Sequence, residues 1–139
     1  MRHLKVTGLG ACDEESKNGK KATFTFAVEV DACDEARVYG YDLSANKELK
    51  GYAIEGIEIV GTDGVVLLTE GETKGRIKVS EGVSGFGLEV KVKAEEALAG
   101  DEALRLAVVN EATGTRDEAK ASIAALDCEP ELPEFPEVP

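Results

Sequence analysis

The stretch TFTFAVEV, Thr23 to Val30, alternates without a break. Phe24, Phe26, Val28 and Val30 hold one phase, and Thr23, Thr25, Ala27 and Glu29 hold the other. Neighbouring side chains of a strand point to opposite faces, so this segment reads as a β-strand with one apolar face and one wetter face. The same period of two returns in Ile57 and Ile59, in Ile77 and Val79, and in Phe86, Leu88, Val90 and Val92. It recurs in Leu104, Leu106 and Val108, and again in Ala121 and Ile123. One apolar face per strand means sheets stacked on a shared core. The predicted core contains Phe24, Phe26, Val28, Ile77, Val79, Phe86, Leu88, Val90, Leu104, Leu106 and Ile123.

Turn-forming pairs separate these runs: Asn18-Gly19, Asp63-Gly64, Glu70-Gly71, Glu81-Gly82 with Gly85, Gly100-Asp101 and Thr113-Gly114. Ser44 to Lys50 and Ala94 to Ala99 read as loops. About seven to nine short strands with frequent turns predict an all-β fold, an antiparallel immunoglobulin-like β-sandwich. Tryptophan is absent and no suitably spaced cysteine pair is evident, which argues against an antibody-type domain.

A chain of 139 residues that is 42% hydrophobic is long enough to bury a core without metal or disulfide staples. Twenty-eight acids against sixteen Lys and Arg leave a net charge of -12, which repels nucleic-acid phosphates and anionic membranes and favours basic partners or cations. The N-terminal MRHLKVTGLGACDEES lacks a sustained apolar run, so synthesis without a signal peptide is expected, and no stretch approaches membrane-spanning length. Cys12, Cys33 and Cys128 each sit beside acids, which disfavours the thiolate; free thiols are the leading expectation, one disulfide with a spare cysteine the alternative. With one histidine, His3, and no CxxC, a tetrahedral zinc site is not expected.

The last eleven residues, EPELPEFPEVP, place prolines at 130, 133, 136 and 139. That period is one turn of polyproline II, giving a rod with a proline edge, an acidic edge of Glu131, Glu134 and Glu137, and an apolar edge of Leu132, Phe135 and Val138. Proline biases the unbound segment toward its extended form, which lowers the entropy lost on docking. Residues 1–126 are accordingly predicted to form the sandwich and residues 127–139 an extended proline-rich C-terminal arm. Its partner-binding residues would be Leu132, Pro133, Phe135, Pro136 and Val138. The competing expectation is a solvated acidic tail.

GIEIVGTDGVVLLTEGETKGRIKV and the later AGDEALRLAVVNEATGTRDEAKASI, together spanning about Gly56 to Ile123, carry a family resemblance. Gly56, Glu58 and Ile59 open a strand; Gly71, Glu72 and Thr73 make a Gly-Glu-Thr turn; Gly100, Asp101 and Glu102 enter an alternating strand; Asn110, Thr113 and Gly114 form the loop before the last strand. In this order they resemble a Calx-β domain and the related repeats of large bacterial surface adhesins. The resemblance implies a sandwich that often binds calcium at one end through clustered carboxylates. Carried over by position, that cluster falls on Glu58, Glu95, Glu96 and Asp127, with acids lost at Ala94 and Ala99. Calcium takes six to eight oxygens, so a cluster thinned this far reads as a solvated acidic rim, with a calcium site the alternative.

No GxSxG, HExxH or P-loop is present, and neighbouring acids such as Glu95-Glu96 and Asp101-Glu102 arise from composition alone. A non-enzymatic protein without an obligate cofactor is expected. The first expectation for function is a structural subunit that uses its arm to join other protein subunits, a capsid or tail protein or further copies of itself. In architecture, size and missing signal it is similar to accessory or decoration proteins of bacteriophage virions, which would place it at a virion surface. The alternative is a calcium-supported adhesion or ligand-binding module of a bacterial surface protein, which would be extracellular.

Overall fold

In the computed structural model, which describes residues 3–13, 21–31, 35–49, 51–70, 73–95 and 101–122, TFTFAVEV lies within one long strand. The described residues form β1 (Leu4–Asp13), β2 (Lys21–Val30), β3 (Arg37–Ala45), β4 (Ala53–Val60), β5 (Val65–Glu70), β6 (Lys74–Val79), β7 (Gly85–Lys93), β8 (Ala103–Asn110) and β9 (Arg116–Ser122). They pair antiparallel into a four-stranded sheet, β1-β2-β7-β4, and a five-stranded sheet, β5-β6-β3-β8-β9. The chain is an all-β, immunoglobulin-like sandwich.

The inward phases of the two sheets meet in one core. Phe24, Phe26 and Val28 of β2 and Phe86, Leu88 and Val90 of β7 pack against Ile77, Val79, Leu104 and Leu106 of the other sheet, all of them fully buried. These are the predicted core residues, except Ile123, which lies outside the described residues. Tyr39, Tyr41 and Leu43 of β3 join them, although their strand was not read from the sequence. Nor were β1 and β5.

Three expectations change. Thr25 and Ala27, outward in phase, are only 5% and 2% exposed, in a strand flanked on both sides by β1 and β7. Gly85 opens β7 opposite Glu29 instead of completing a turn. Of the predicted loop from Ser44, the first two residues finish β3, and the turn that follows is organised by Asn46. Its Oδ1 accepts from the N–H groups of Leu49 and Ala103, both at 3.1 Å, while its Nδ2 donates to the Asp101 carbonyl at 2.8 Å. Asn46 thereby holds Leu49 in the core.

The turns at Asp63-Gly64 and Thr113-Gly114 form as read, with Gly64 at φ 83° and Gly114 at φ 77°, the left-handed region that glycine occupies without Cβ strain. At one side of the sandwich β1 closes against β9, linking the edges of the two sheets. The Val6 N–H donates to Asp117 Oδ2 at 2.8 Å, and the backbone at Gly8 runs so close to Lys120 that a Cβ there would overlap the Lys120 carbonyl. Arg37 secures one end by donating from Nη2 to the carbonyls of Val83 at 3.0 Å and Ser80 at 3.4 Å.

Candidate docking face

Alternation that buries one phase of the five-stranded sheet turns the other phase to solvent. On β6 the outward residues are Lys74, Arg76 and Lys78, all exposed, alternating with Gly75 and the buried Ile77 and Val79. Cross-strand register places Lys78 between Val66 of β5 and Val38 of β3. One row further, Arg76 is followed by Gly40, Val109 and Arg116; in the next, Lys74 is followed by Asp42, Ala107 and Glu118. Arg105 and Lys120 are paired in the row beyond. Six of the sixteen Lys and Arg residues thus share one face of a chain whose net charge is -12.

The cations stand in columns. Strand β6 carries three and β9 carries Arg116 and Lys120, whereas β5 shows exposed Val66 and Leu68, 53% and 47%, and β3 shows Val38 and Gly40. Some of the charge is paired. Arg76 donates from Nε and Nη2 to the two oxygens of Glu111, each at 2.9 Å. Arg116 lies 3.4 Å and Arg105 3.9 Å from Glu118, and Lys74 lies 4.0 Å from Asp42. Among the described residues, no carboxylate reaches Lys78 or Lys120 within ion-pair distance. The hydrogen bond from Arg76 holds the Glu111 carboxyl below its ordinary value, and the same pairing raises Arg76.

The centre of this face is hollow. Gly40 and Ala107 offer little or no side chain, and together with Val109 they floor a depression of about 340 Å³ rimmed by Lys74, Asp42 and Arg116. A Cβ at Gly40 would stand 3.3 Å from Val109 Cγ1, so glycine keeps the hollow open. An apolar floor with charged groups of both signs at its rim has the shape to accept a hydrophobic side chain.

The carboxylates carried over for calcium do not converge. Glu58 is exposed on β4, opposite Glu89 in β7, on the outer face of the four-stranded sheet. Glu95 follows the end of β7 and lies against Gly51. Six residues separate Glu89 from Glu95, about 20 Å along an extended chain. Glu96 and Asp127 lie outside the described residues, and among those described no group of three His, Cys, Asp or Glu is placed to hold a metal. Ala94, where the family pattern has an acid, is buried in the core cluster, a position that would desolvate a carboxylate. Cys12 stands in β1 opposite Thr23. Cys33, Cys128 and the arm residues Leu132, Pro133, Phe135, Pro136 and Val138 all lie outside the described residues.

The cationic face was missed in the sequence, although Lys74, Arg76 and Lys78 at two-residue spacing were its visible signal. Only topology joins that column to Arg105, Arg116 and Lys120.

No family model matches the chain, and no curated protein matches it by sequence. Similar solved structures exist. The full-length major pilin SpaD from Corynebacterium diphtheriae is 13% identical over 86% of this chain, with a TM-score of 0.52; the match covers 34% of SpaD, so the chain spans about a third of that protein. AggA, the major subunit of aggregative adherence fimbriae type I from Escherichia coli, is 14% identical over 88% of this chain and 95% of its own, with a TM-score of 0.45. The collagen-binding subdomain ACE19 of the Enterococcus faecalis surface protein ACE is 8% identical over 86% and 95%, with a TM-score of 0.46. At 13% identity the likeness to SpaD concerns the fold alone, an immunoglobulin-like sandwich. Neither the Calx-β resemblance nor the bacteriophage analogy gains support from these neighbours. No helix among the described residues is long and apolar enough to cross a membrane.

Proposed function

We propose that this chain is a non-enzymatic structural subunit that fastens onto other protein subunits through its C-terminal arm and an open sheet face. The observation that carries this reading is the outer face of the five-stranded sheet: an apolar hollow rimmed by Lys74, Arg116 and Asp42, on a face where Lys78 and Lys120 remain exposed and unpaired among the described residues of an otherwise acidic protein. Surface cations needed only for solubility do not require a hollow between them. The arm supplies the complementary chemistry, apolar and acidic residues at a three-residue period.

A bacterial surface assembly is preferred over a virion, since about a third of the pilin SpaD matches this fold. A calcium-supported adhesion module has no observation of its own in the described residues, where Glu58 and Glu95 stand apart.

The test is incorporation. In the cells or particles that make the protein, the fraction sedimenting with high-molecular-weight assemblies is compared for the native chain, Phe135→Ala and Glu134→Ala. Phe135→Ala should strip the chain from the assembly more than Glu134→Ala, because a desolvated aromatic anchor contributes more than a rim charge. Equal incorporation of all three would defeat the arm.

A further inference from the structure

We infer that the hollow on the five-stranded sheet receives the C-terminal arm of a second copy of this chain, so that copies join head to tail. This rests on the docking-arm reading and names its partner.

Spacing and charge carry it. As polyproline II the arm advances about 9.3 Å every three residues, and two strand spacings measure about 9.6 Å. A rod lying across the strands therefore sets its apolar column on every second strand. With Leu132 over Val66 on β5, Phe135 falls at the hollow beside β3, where Gly40 and Ala107 leave room for a ring. Glu134 then lies over the β6 column of Lys74, Arg76 and Lys78, and Glu137 lies toward Arg116 and Lys120 of β9. Of the cations on this face, Lys78 and Lys120 have no carboxylate partner among the described residues. The outer face of the four-stranded sheet differs, since its central outward residues Thr25 and Ala27 are buried.

A second copy is favoured over the chain's own body by the direction of β9. Glu118 borders the hollow, and the strand runs on from it to Ser122, opposite Ala103, leading the chain away. To seat Leu132 on its own body the chain would have to return from β9 to β5, at the opposite edge of the sheet. An arm that leaves one body and seats on the next makes a heterologous contact, which builds open chains.

The experiment is sedimentation velocity on full-length protein, using one arm variant, Phe135→Ala, and two face variants. Ala107→Tyr fills the hollow; the double variant Lys78→Glu with Lys120→Glu reverses two exposed charges and guards against misfolding of the first, with melting temperature as the check on each. The native chain should self-associate with concentration, weakened by salt, and either kind of variant alone should associate at least about tenfold more weakly. Mixed in equal amounts, arm-blocked and face-blocked chains should recover a heterodimer that cannot grow, since each retains one working half. If Phe135→Ala weakens association but the folded face variants do not, the arm docks elsewhere and the face assignment falls while the arm stands. Normal association of Phe135→Ala sinks the arm reading itself. A native chain that stays monomeric at millimolar concentration, or a mixture that forms no heterodimer, overturns the second copy as occupant.

Discussion

Asp117 and Val6 are 111 residues apart in sequence and joined by one 2.8 Å hydrogen bond, the Val6 N–H donating to the Asp117 carboxylate. Each belongs to an edge strand, β1 of one sheet and β9 of the other. An edge presents unpaired backbone groups, and here a side chain from the opposite sheet satisfies one of them. The bond is part-buried, so removing the acceptor strands a backbone donor. Asp117→Ala should lower the unfolding free energy by about 1–3 kcal/mol in urea titration. Asp117→Asn, which keeps an acceptor oxygen, should cost less. Equal losses in the two would mean that the hydrogen bond is not what Asp117 contributes.

Gly8 tests the same seam from the other strand. A Cβ at this position overlaps the Lys120 carbonyl, a backbone atom that cannot swing aside. Gly8→Ala should therefore destabilise the fold by about 1–3 kcal/mol as β1 is pushed off β9. Amide exchange should quicken in β1 and β9 before it does in β2 and β7. A neutral Gly8→Ala would show that the seam is looser than the geometry indicates.

In the core, Phe26 and Leu106 are fully buried on facing sheets. Phe26→Ala should cost about 3–5 kcal/mol and Leu106→Ala about 2–5 kcal/mol, the transfer loss plus the cavity left behind. Chemical denaturation of both variants measures this directly, and a loss below 1 kcal/mol in either would mean that the cavity collapses.

Glu111 is held below the ordinary glutamate value of about 4.3 by its hydrogen bond from Arg76. For a carboxylate whose folded value is depressed, the stabilisation is present above the unfolded value and is lost as pH falls through the folded one. The pair should therefore add nothing to the pH dependence near neutrality and act only in the acid limb. An NMR titration should find the Glu111 midpoint low in the native chain and higher in Arg76→Ala. The effect on stability should be slight, since both groups are exposed.

Calcium should leave the melting temperature unchanged, because Glu58 stands in β4 opposite Glu89 whereas Glu95 lies beyond the end of β7, against Gly51. Thermal unfolding in millimolar calcium and in excess chelator gives the answer. A large upward shift with calcium would show a site and restore the adhesion alternative.

Where the sequence was legible, one phase of a strand was uniformly large and apolar, as in Phe24, Phe26, Val28 and Val30. Three strands broke that signal. In β1 the inward series runs Leu4, Val6, Gly8, and glycine replaces an apolar side chain because the Lys120 backbone occupies its space. In β3 the inward series is Tyr39, Tyr41 and Leu43, hidden by phenol hydroxyls and by Gly40 between the rings. In β5 the run Val65, Val66, Leu67, Leu68 is apolar on both faces, and only the structure separates buried Val65 from exposed Val66 and Leu68.

The sequence by itself determined the fold class and the part of the core carried by β2, β6, β7 and β8, because strand periodicity is a property of chain neighbours and the inward phase is written in consecutive residues. It also places prolines at 130, 133, 136 and 139, the spacing from which the arm is proposed; those residues lie outside the described ones. The candidate site was decided by the tertiary structure. Lys74, Gly40, Ala107 and Arg116 come from four strands scattered over the chain, and they share a face only because β6, β3, β8 and β9 are laid side by side in that order. Strand order arises from long-range pairing and from packing of the opposite, buried phase, so no local pattern in the outward residues records which of them will meet.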